Sequence, residues 1–182
     1  MGNVKPNKRD QILDALQQIL VSKGPSAVTL EAVAARAGVS KGGLLYHFNT
    51  KRDLYDGLAK RLRQSEEEEF VKARQLGIVE GFLRSSVTEC SEGAAGYWAL
   101  LTAMQGSRED LSEEALSDVN YVFNQWSVLL EEEITDPTLA GIIRLVGDGL
   151  FLTAVSGLPQ PSPELLEEVI KRLVEQSQAE HL

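Results

Sequence analysis

This chain of 182 residues has little that would support catalysis, a disulfide framework or a metal centre. Its single cysteine, Cys90, excludes an internal disulfide and indicates a reducing compartment. The two histidines, His47 and His181, are far apart in the sequence, which leaves little for a metal site or for acid–base work near pH 7. No histidine, cysteine and serine residues have catalytic spacing, so we expect neither an enzyme nor a cofactor.

We expect neither a targeting segment nor an uninterrupted membrane span in this chain. The first residues, MGNVKPNKRDQI, have no apolar core of the length that a secretory signal needs, and Pro6 stands where myristoylation favours Ser or Thr. The longest apolar run, LAGIIRLVGDGLFLTAVSGL, contains Arg144 and Asp148, each of which is costly in lipid. We expect this run to be a buried helix of a cytoplasmic protein with no membrane partner.

Acidic residues outnumber basic ones, but the surplus is confined to the later part of the chain. The formal net charge of −9 is the sum of +6 over residues 1–63, from eleven basic and five acidic residues, and −15 over the remainder. A basic segment beside an acidic one indicates a polyanionic partner for the basic segment alone. The acidic surplus is either a solvated coat or a field that attracts a cationic ligand.

Apolar residues recur at helical spacing throughout the chain, and no segment alternates with period two. Thr29 and Ser40 are predicted N-caps of two short helices, with Gly38 at the turn between them. Thr50 and Asp53 have the spacing of a capping box at the start of a long helix that passes residues 66–69. Further helices are predicted over residues 9–24, 76–92, 94–105, 113–134, 137–156 and 163–178.

Two short helices joined by a glycine-containing turn occupy residues 29–54, TLEAVAARAGVSKGGLLYHFNTKRDL. This is the pattern of a helix-turn-helix, whose second helix lies in the major groove of DNA. Gly42 and Gly43 leave the leading turn of that helix bare, so its backbone can approach a duplex closely. The side chains left to act there are Lys41, Tyr46 and His47.

The stretch TLEAVAARAGVSKGGLLYHFNTKRDLYDGL resembles the N-terminal DNA-binding domain of TetR-family transcriptional regulators. One departure is that many members have tyrosine at the position of Leu45, whereas here Tyr46 follows it. The resemblance implies that Lys41 reads bases. It also implies a set of contacts to the DNA backbone, namely Thr29, Ser40, Tyr46, His47 and Lys51. His47 and Lys51 have the alternative of being ordinary surface residues. Tyr46 has the alternative of belonging to the core of the module, where Phe48 is expected.

The resemblance implies an all-α fold with two parts. A three-helix helix-turn-helix module would occupy residues 1–55, and a helical ligand-binding and dimerisation body would occupy residues 56–182. The last two helices would pair with those of a second copy in a four-helix bundle, which gives a homodimer able to span two half-sites. Glycines in the penultimate helix permit close approach, and an apolar stripe continues in the last helix at Leu165, Val169, Leu173 and Val174.

An effector pocket in the body is a further implication of the resemblance. Side chains that suit an apolar ligand with a few polar groups are Trp98, Met104, Asn120, Phe123, Asn124, Trp126, Asp148 and Phe151. The same aromatic residues suit a core, so both interpretations stay open. Asp148 either pairs with Arg144 or faces a cationic ligand. The segment GDGLF is similar to that of members that sense lipophilic cationic drugs.

These features predict a ligand-responsive transcriptional regulator. We expect a repressor that binds a palindromic double-stranded DNA operator as a dimer and is released by a small lipophilic effector, with a cationic effector as one alternative. A second hypothesis is a nonspecific DNA-binding or protein-interaction module without an effector, and a third is an enzyme that uses Asp118, Glu133 or Asp148. Activation instead of repression also stays open, and Cys90 is expected to be buried.

Overall fold

A computed structural model describes residues 7–87, 92–106, 108–156 and 158–179, a range that leaves out Cys90 and His181. The described residues are helical and contain no strand, which confirms the all-α prediction. They form nine helices, α1 (Lys8–Lys23), α2 (Leu30–Ala37), α3 (Lys41–Leu45), α4 (Lys51–Leu76), α5 (Ile78–Val87), α6 (Glu92–Gly106), α7 (Glu113–Glu133), α8 (Pro137–Ser156) and α9 (Pro163–Ala179). Short 3₁₀ turns lie at Pro25–Ala27 and Arg108–Asp110.

The chain divides into two compact units, each made of two segments of the sequence. The first unit comprises residues 1–63 and 95–119, and the second comprises residues 64–94 and 120–182. Most of α6 and the start of α7 therefore belong to the same unit as α1–α3. The boundary between residues 55 and 56 stays a prediction.

The predicted caps and turn of the helix-turn-helix are confirmed. The Thr29 hydroxyl accepts from Ala32 N–H, and the Ser40 hydroxyl accepts from Gly43 N–H, at 3.0 and 3.1 Å. Gly38 has φ of +67°, a conformation that glycine adopts without strain, and so it ends α2. The two helices are held at a fixed angle by these ends. The second helix was predicted over residues 41–47 and is shorter, since α3 ends at Leu45.

A capping box fixes the start of α4. The Asp53 backbone N–H donates to the Thr50 hydroxyl at 3.1 Å, and the Thr50 N–H donates back to the Asp53 carboxylate at 3.2 Å. The Asn49 N–H donates to the same carboxylate at 2.9 Å. Three backbone donors at the helix entrance are thereby satisfied, so the direction of the first turn of α4 is set locally.

The core of the first unit lies between the helix-turn-helix and the helices on either side of it. Phe48 is buried there, as predicted. Its fully buried large side chains include Ile12, Leu13, Leu16, Leu20, Leu44, Leu54, Tyr55 and Leu58. Burial of these side chains from α1, α3 and α4 holds the three helices together, because each removes a large apolar surface from water.

The α4–α5 junction differs from the prediction. We expected a helix to begin at Leu76, but α4 continues to Leu76 and α5 begins at Ile78. Gly77 between them has φ of +112°, which side-chain-bearing residues rarely adopt, so it terminates α4. The same helix was predicted to end at residue 92, but α5 is described to Val87, residues 88–91 lie outside the described residues, and Glu92 begins α6.

The second unit is built around α5, which packs against α8 and α9. Gly147 of α8 lies against Phe82, and a Cβ atom added there would come within 2.3 Å of the phenylalanine ring. Ile143 of α8 and Ile170 of α9 belong to the same buried cluster as Phe82. The missing side chain at Gly147 therefore lets α8 approach α5 closely enough to enclose the aromatic ring.

The longest apolar run was expected to be a buried helix, and within the single chain α8 is buried on one face only. Its buried residues are Ala140, Ile143 and Gly147, whereas Leu145 on another face is 74% exposed. Among the described residues α8 alone is long and apolar enough by composition to cross a membrane, although it carries Arg144 and Asp148. One face of α8 thus belongs to the core, and an apolar face is left uncovered.

Candidate DNA-binding interface and effector-domain core

The exposed face of the helix-turn-helix collects most of the predicted DNA-contacting residues. Tyr46, at the end of α3, is 86% exposed, which rules out the alternative that it belongs to the core. Its ring meets the half-buried imidazole of His47 edge to face, with centroids 5.0 Å apart. A Cβ atom added at Gly42 would have nothing within 4 Å. The leading turn of α3 is therefore open to a close partner.

Each of the two capping hydroxyl groups still has a proton that it can donate to an acceptor outside the protein. Thr29 and Ser40 are exposed, and each hydroxyl oxygen already accepts a backbone N–H. A hydroxyl group has one proton to donate in addition to its lone pairs, and a phosphate oxygen is a strong acceptor for it. The geometry suits hydrogen bonds to a DNA backbone at the start of α2 and of α3.

Each of the two predicted DNA-contacting lysines has an acidic partner in the protein. Lys41 Nζ lies 2.6 Å from Glu31 Oε1, and Lys51 Nζ lies 2.7 Å from Asp110 Oδ2. The hydrogen bond from Lys41 lowers the pKa of Glu31, with help from a backbone hydrogen bond. Sequence reasoning missed both partners, because Asp110 is distant from Lys51 in the chain and Glu31 lies on a different helix from Lys41.

The predicted effector-binding residues are divided between the two units. Trp98 and Met104 lie half-buried on α6 in the first unit, whereas the other six lie in the second unit. Asn120, Phe123 and Asn124 are exposed on α7. The remaining three are the half-buried Asp148 and Phe151 and the buried Trp126. Whether any of them binds a ligand stays a prediction.

Trp126 is the centre of an aromatic group in the second unit. Its ring lies 4.9 Å from that of Phe70, edge to face, and 5.2 Å from that of Phe82. Tyr121 meets Phe70 from the other side at 6.4 Å. We call these four residues the aromatic cluster. Phe70, Phe82 and Tyr121 were not among the predicted residues.

A partly buried carboxylate, Glu66, borders the aromatic cluster. The Trp126 indole Nε1–H donates to Glu66 Oε2 over a long 3.4 Å. Burial raises the pKa of Glu66, the indole hydrogen bond opposes this, and the charge of Glu69 adds to it. The sequence alone could have indicated that Glu66 is partly buried, because Glu66 lies on the same helical face as Leu62, Phe70 and Ala73, which are buried.

Arg144 joins three elements of the second unit, and Asp148 is one of its partners. Its Nε lies 2.9 Å from Asp148 Oδ2, and its Nη1 donates to the Phe123 carbonyl and the Ser127 hydroxyl. The guanidinium also lies 5.7 Å from the centroid of Phe82. Of the two interpretations of Asp148, the geometry shows the pair with Arg144.

The helix-turn-helix with its open α3 defines a DNA-binding protein, and the comparisons with known proteins agree. Residues 12–58 match the family described as bacterial regulatory proteins, tetR family. Residues 77–178 match the tetracyclin repressor-like C-terminal domain. The chain belongs to the TetR family of transcriptional regulators.

Two proteins with similar sequences carry names that describe different roles. The chain is 31% identical over 155 residues to the nucleoid occlusion factor SlmA of Marinomonas sp. (strain MWYL1), covering 79% of the chain and 74% of the relative. It is 34% identical over 65 residues to the HTH-type transcriptional repressor BepR of Brucella suis biovar 1, covering 36% of the chain and 31% of that repressor.

Solved structures agree on the fold. A TetR-family member from Streptomyces coelicolor A3 matches with a TM-score of 0.65 at 23% identity, covering 92% of this chain and 98% of that one. The multidrug binding protein EbrR, solved with malachite green, matches with a TM-score of 0.61 at 24% identity over the same shares of the two chains. At these identities the likeness shows the shared fold and nothing finer.

We expect Glu66→Gln to stabilise the protein at neutral pH and to leave its stability unchanged in acid. A carboxyl group whose folded pKa is raised favours folding when protonated, and that contribution is lost as the pH rises through the folded pKa. The charge of Glu66 should therefore destabilise the folded protein only at pH values above the ordinary carboxyl pKa of 4.5. Urea unfolding of both proteins at pH 4 and pH 7 measures the difference.

The control for this experiment is Glu68→Gln, which removes the same charge from an exposed position on the same helix. If Glu68→Gln were to give an equal gain at neutral pH, repulsion within the acidic run would account for the effect and burial of Glu66 would not.

Proposed function

We propose that this protein is a transcriptional repressor that binds a palindromic DNA operator as a homodimer in the cytoplasm and is released by a small lipophilic cation. The observation that carries the DNA-binding part is the exposed helix-turn-helix, in which capping hydroxyls, Tyr46 and an unobstructed Gly42 occur together. In this proposal Lys41 reads bases from the major groove. The DNA backbone is held by Thr29, Ser40, Tyr46, His47 and Lys51.

The uncovered face of α8 supports the dimer. Ile142, Leu145 and Leu152 are exposed along this helix, and Leu165 is exposed on α9. Gly141 and Gly149 lie on α8 with nothing within 4 Å of an added Cβ atom, so a second helix could come close. A contiguous apolar face of this kind marks an association site, and a second copy of the chain offers a matching surface.

The aromatic cluster and Glu66 support a cationic effector. Aromatic faces attract cations, and a carboxylate next to them supplies the compensating charge. Among the described residues Glu66 accepts only a long hydrogen bond from Trp126, and a bound cation would favour its ionised form. The solved complex of EbrR with malachite green is a precedent for a cationic dye on this fold, although the identity to that protein is low.

The similarity to a nucleoid occlusion factor supports a second candidate, a DNA-binding protein whose role does not involve a promoter. The two candidates differ in where they bind. A repressor occupies sites at one or a few promoters, whereas a protein of the second kind is not confined to promoters. Mapping the bound sites across the genome decides between them.

Selection of bound sequences from random duplexes tests the operator. We expect one enriched palindrome, bound ~10³–10⁷-fold more tightly than random DNA. Lys51→Ala should weaken binding to all sequences and lower the salt slope by about one unit, because one phosphate contact is lost. Lys41→Ala should instead reduce discrimination at one base pair, by about 1–3 kcal/mol.

Lys60→Ala is the control for both lysines, since Lys60 is an exposed lysine further along α4. An equal fall in salt slope with Lys60→Ala would mean that the loss reflects net charge. Absence of any enriched sequence for the unaltered protein would overturn the operator proposal itself.

Sedimentation equilibrium tests the dimer. Leu145→Lys should raise the dimer dissociation constant on the order of 100-fold, because each copy would bury an unpaired charge. Val71→Lys introduces the same charge at an exposed apolar position on α4 and should leave the dimer intact. A dimer unaffected by Leu145→Lys would place the interface elsewhere.

Direct titration with malachite green, in the absence of DNA, tests the effector class. In a Trp98→Phe background Trp126 is the remaining tryptophan, and we expect the dye to quench its fluorescence. Glu66→Gln should weaken binding about tenfold, as expected for losing a charge-assisted contact. Equal weakening by Glu68→Gln would assign the dye to the acidic surface instead.

A further inference from the structure

The first turn of α4 is attached to the segment of residues 108–112, which follows α6. The central contact is the ion pair between Lys51 and Asp110, at 2.7 Å. Both side chains are largely covered, with 26% and 30% of their surfaces exposed, so the pair is less screened by water than an open surface pair. Lys51 Nζ also lies 5.7 Å from the centroid of the buried Tyr55 ring.

Two further hydrogen bonds hold the same segment against α4. Arg52 Nη2 donates to the Glu109 carbonyl at 3.1 Å, and the Ser112 hydroxyl donates to Asp56 Oδ1 at 2.7 Å. Ser112 in turn accepts the Ala115 N–H at the start of α7, at 3.0 Å. The position of Asp110 is therefore set by its neighbours on both sides, and the ion pair does not depend on two freely moving side chains.

We propose that Asp110 competes with the DNA phosphate for Lys51, so that residues 108–112 set the affinity for DNA; this inference rests on the proposed function. Lys51 has one ammonium group, and the Asp110 carboxylate is already in contact with it when a phosphate approaches. The phosphate must displace that carboxylate or lie beside a like charge, and either outcome weakens binding.

Through this competition, a change in the position of residues 108–112 would directly alter the contact between Lys51 and DNA. Residues 108–112 lie between α6 and α7, and α7 carries Tyr121 and Trp126 of the proposed effector site. A shift of α6 or α7 that draws Asp110 away would free Lys51 for phosphate, and a shift that presses it closer would withhold it. The protein with the ion pair formed and the protein with the ion pair broken would then differ in their affinity for DNA, and a ligand can control binding by favouring one of these two states.

Asp110→Asn is the variant that tests this inference. It keeps the shape of the side chain and removes its charge, and we expect about threefold to fivefold tighter operator binding, the range of a modest ion pair. Glu109→Gln is the matched control, because it removes an equal charge from the adjacent exposed residue, which contacts Arg52 through its backbone alone. The control should gain less than twofold.

A double-variant cycle identifies Lys51 as the intermediary. In a Lys51→Ala background Asp110→Asn should have no more effect than Glu109→Gln, because there is no ammonium left to release. Urea unfolding checks that each variant folds, and Asp110→Ser gives a second reading if asparagine disturbs the turn.

The possible outcomes separate this inference from the function on which it rests. If the unaltered protein selects no operator, the proposed function fails. If it selects an operator but Asp110→Asn weakens binding, Asp110 positions Lys51 for DNA and the competition is overturned. An undiminished gain in the Lys51→Ala background would also overturn it, since the effect would then be general repulsion.

Discussion

The capping box at Thr50 and Asp53 is the local constraint on which the DNA-facing part of the first unit depends. It satisfies the backbone donors of Asn49, Thr50 and Asp53 at once, so α4 has one starting point and one direction. Because Lys51 and Arg52 follow immediately, their side chains are placed by that cap. Behind it Leu54, Tyr55 and Leu58 bury the opposite face of α4 against the helix-turn-helix. A helix that began one residue later would turn these apolar residues out of the core.

The features that sequence analysis predicted well are those decided within a few residues. The caps at Thr29, Ser40 and Thr50 and the left-handed Gly38 each depend on hydrogen bonds or backbone angles spanning at most four positions. The recurrence of apolar residues at helical spacing then identified the long helices, because burial selects one face at a time. The start predicted at Leu76 failed for a local reason, since a leucine in a helical pattern gives no sign that the next glycine takes a positive φ.

The partners of the candidate site could not be predicted in the same way. Lys51 meets Asp110 only because the segment after α6 folds back onto α4, and no spacing in the sequence reports that contact. Trp126 was predicted for its residue type, whereas Phe70, Phe82 and Glu66 were missed although they touch it or its neighbours. Four successive glutamates suggest a solvated surface. Glu66 is nevertheless on the buried side of the helix, because it lies one turn from Leu62 and one turn from Phe70, and this is recognised only when the four residues are placed on α4.

The apolar face of α8 has a consequence for how the amount of protein in the cell relates to its folding. If two copies cover this face in each other, the folded state is stabilised by mass action, and the free energy of unfolding increases with the logarithm of concentration. A cell holding few copies would then have a larger share of chains with Leu145 in water, open to proteases and to other apolar surfaces. The same residues that join two subunits would thus set a lower limit on the number of copies at which this regulator persists.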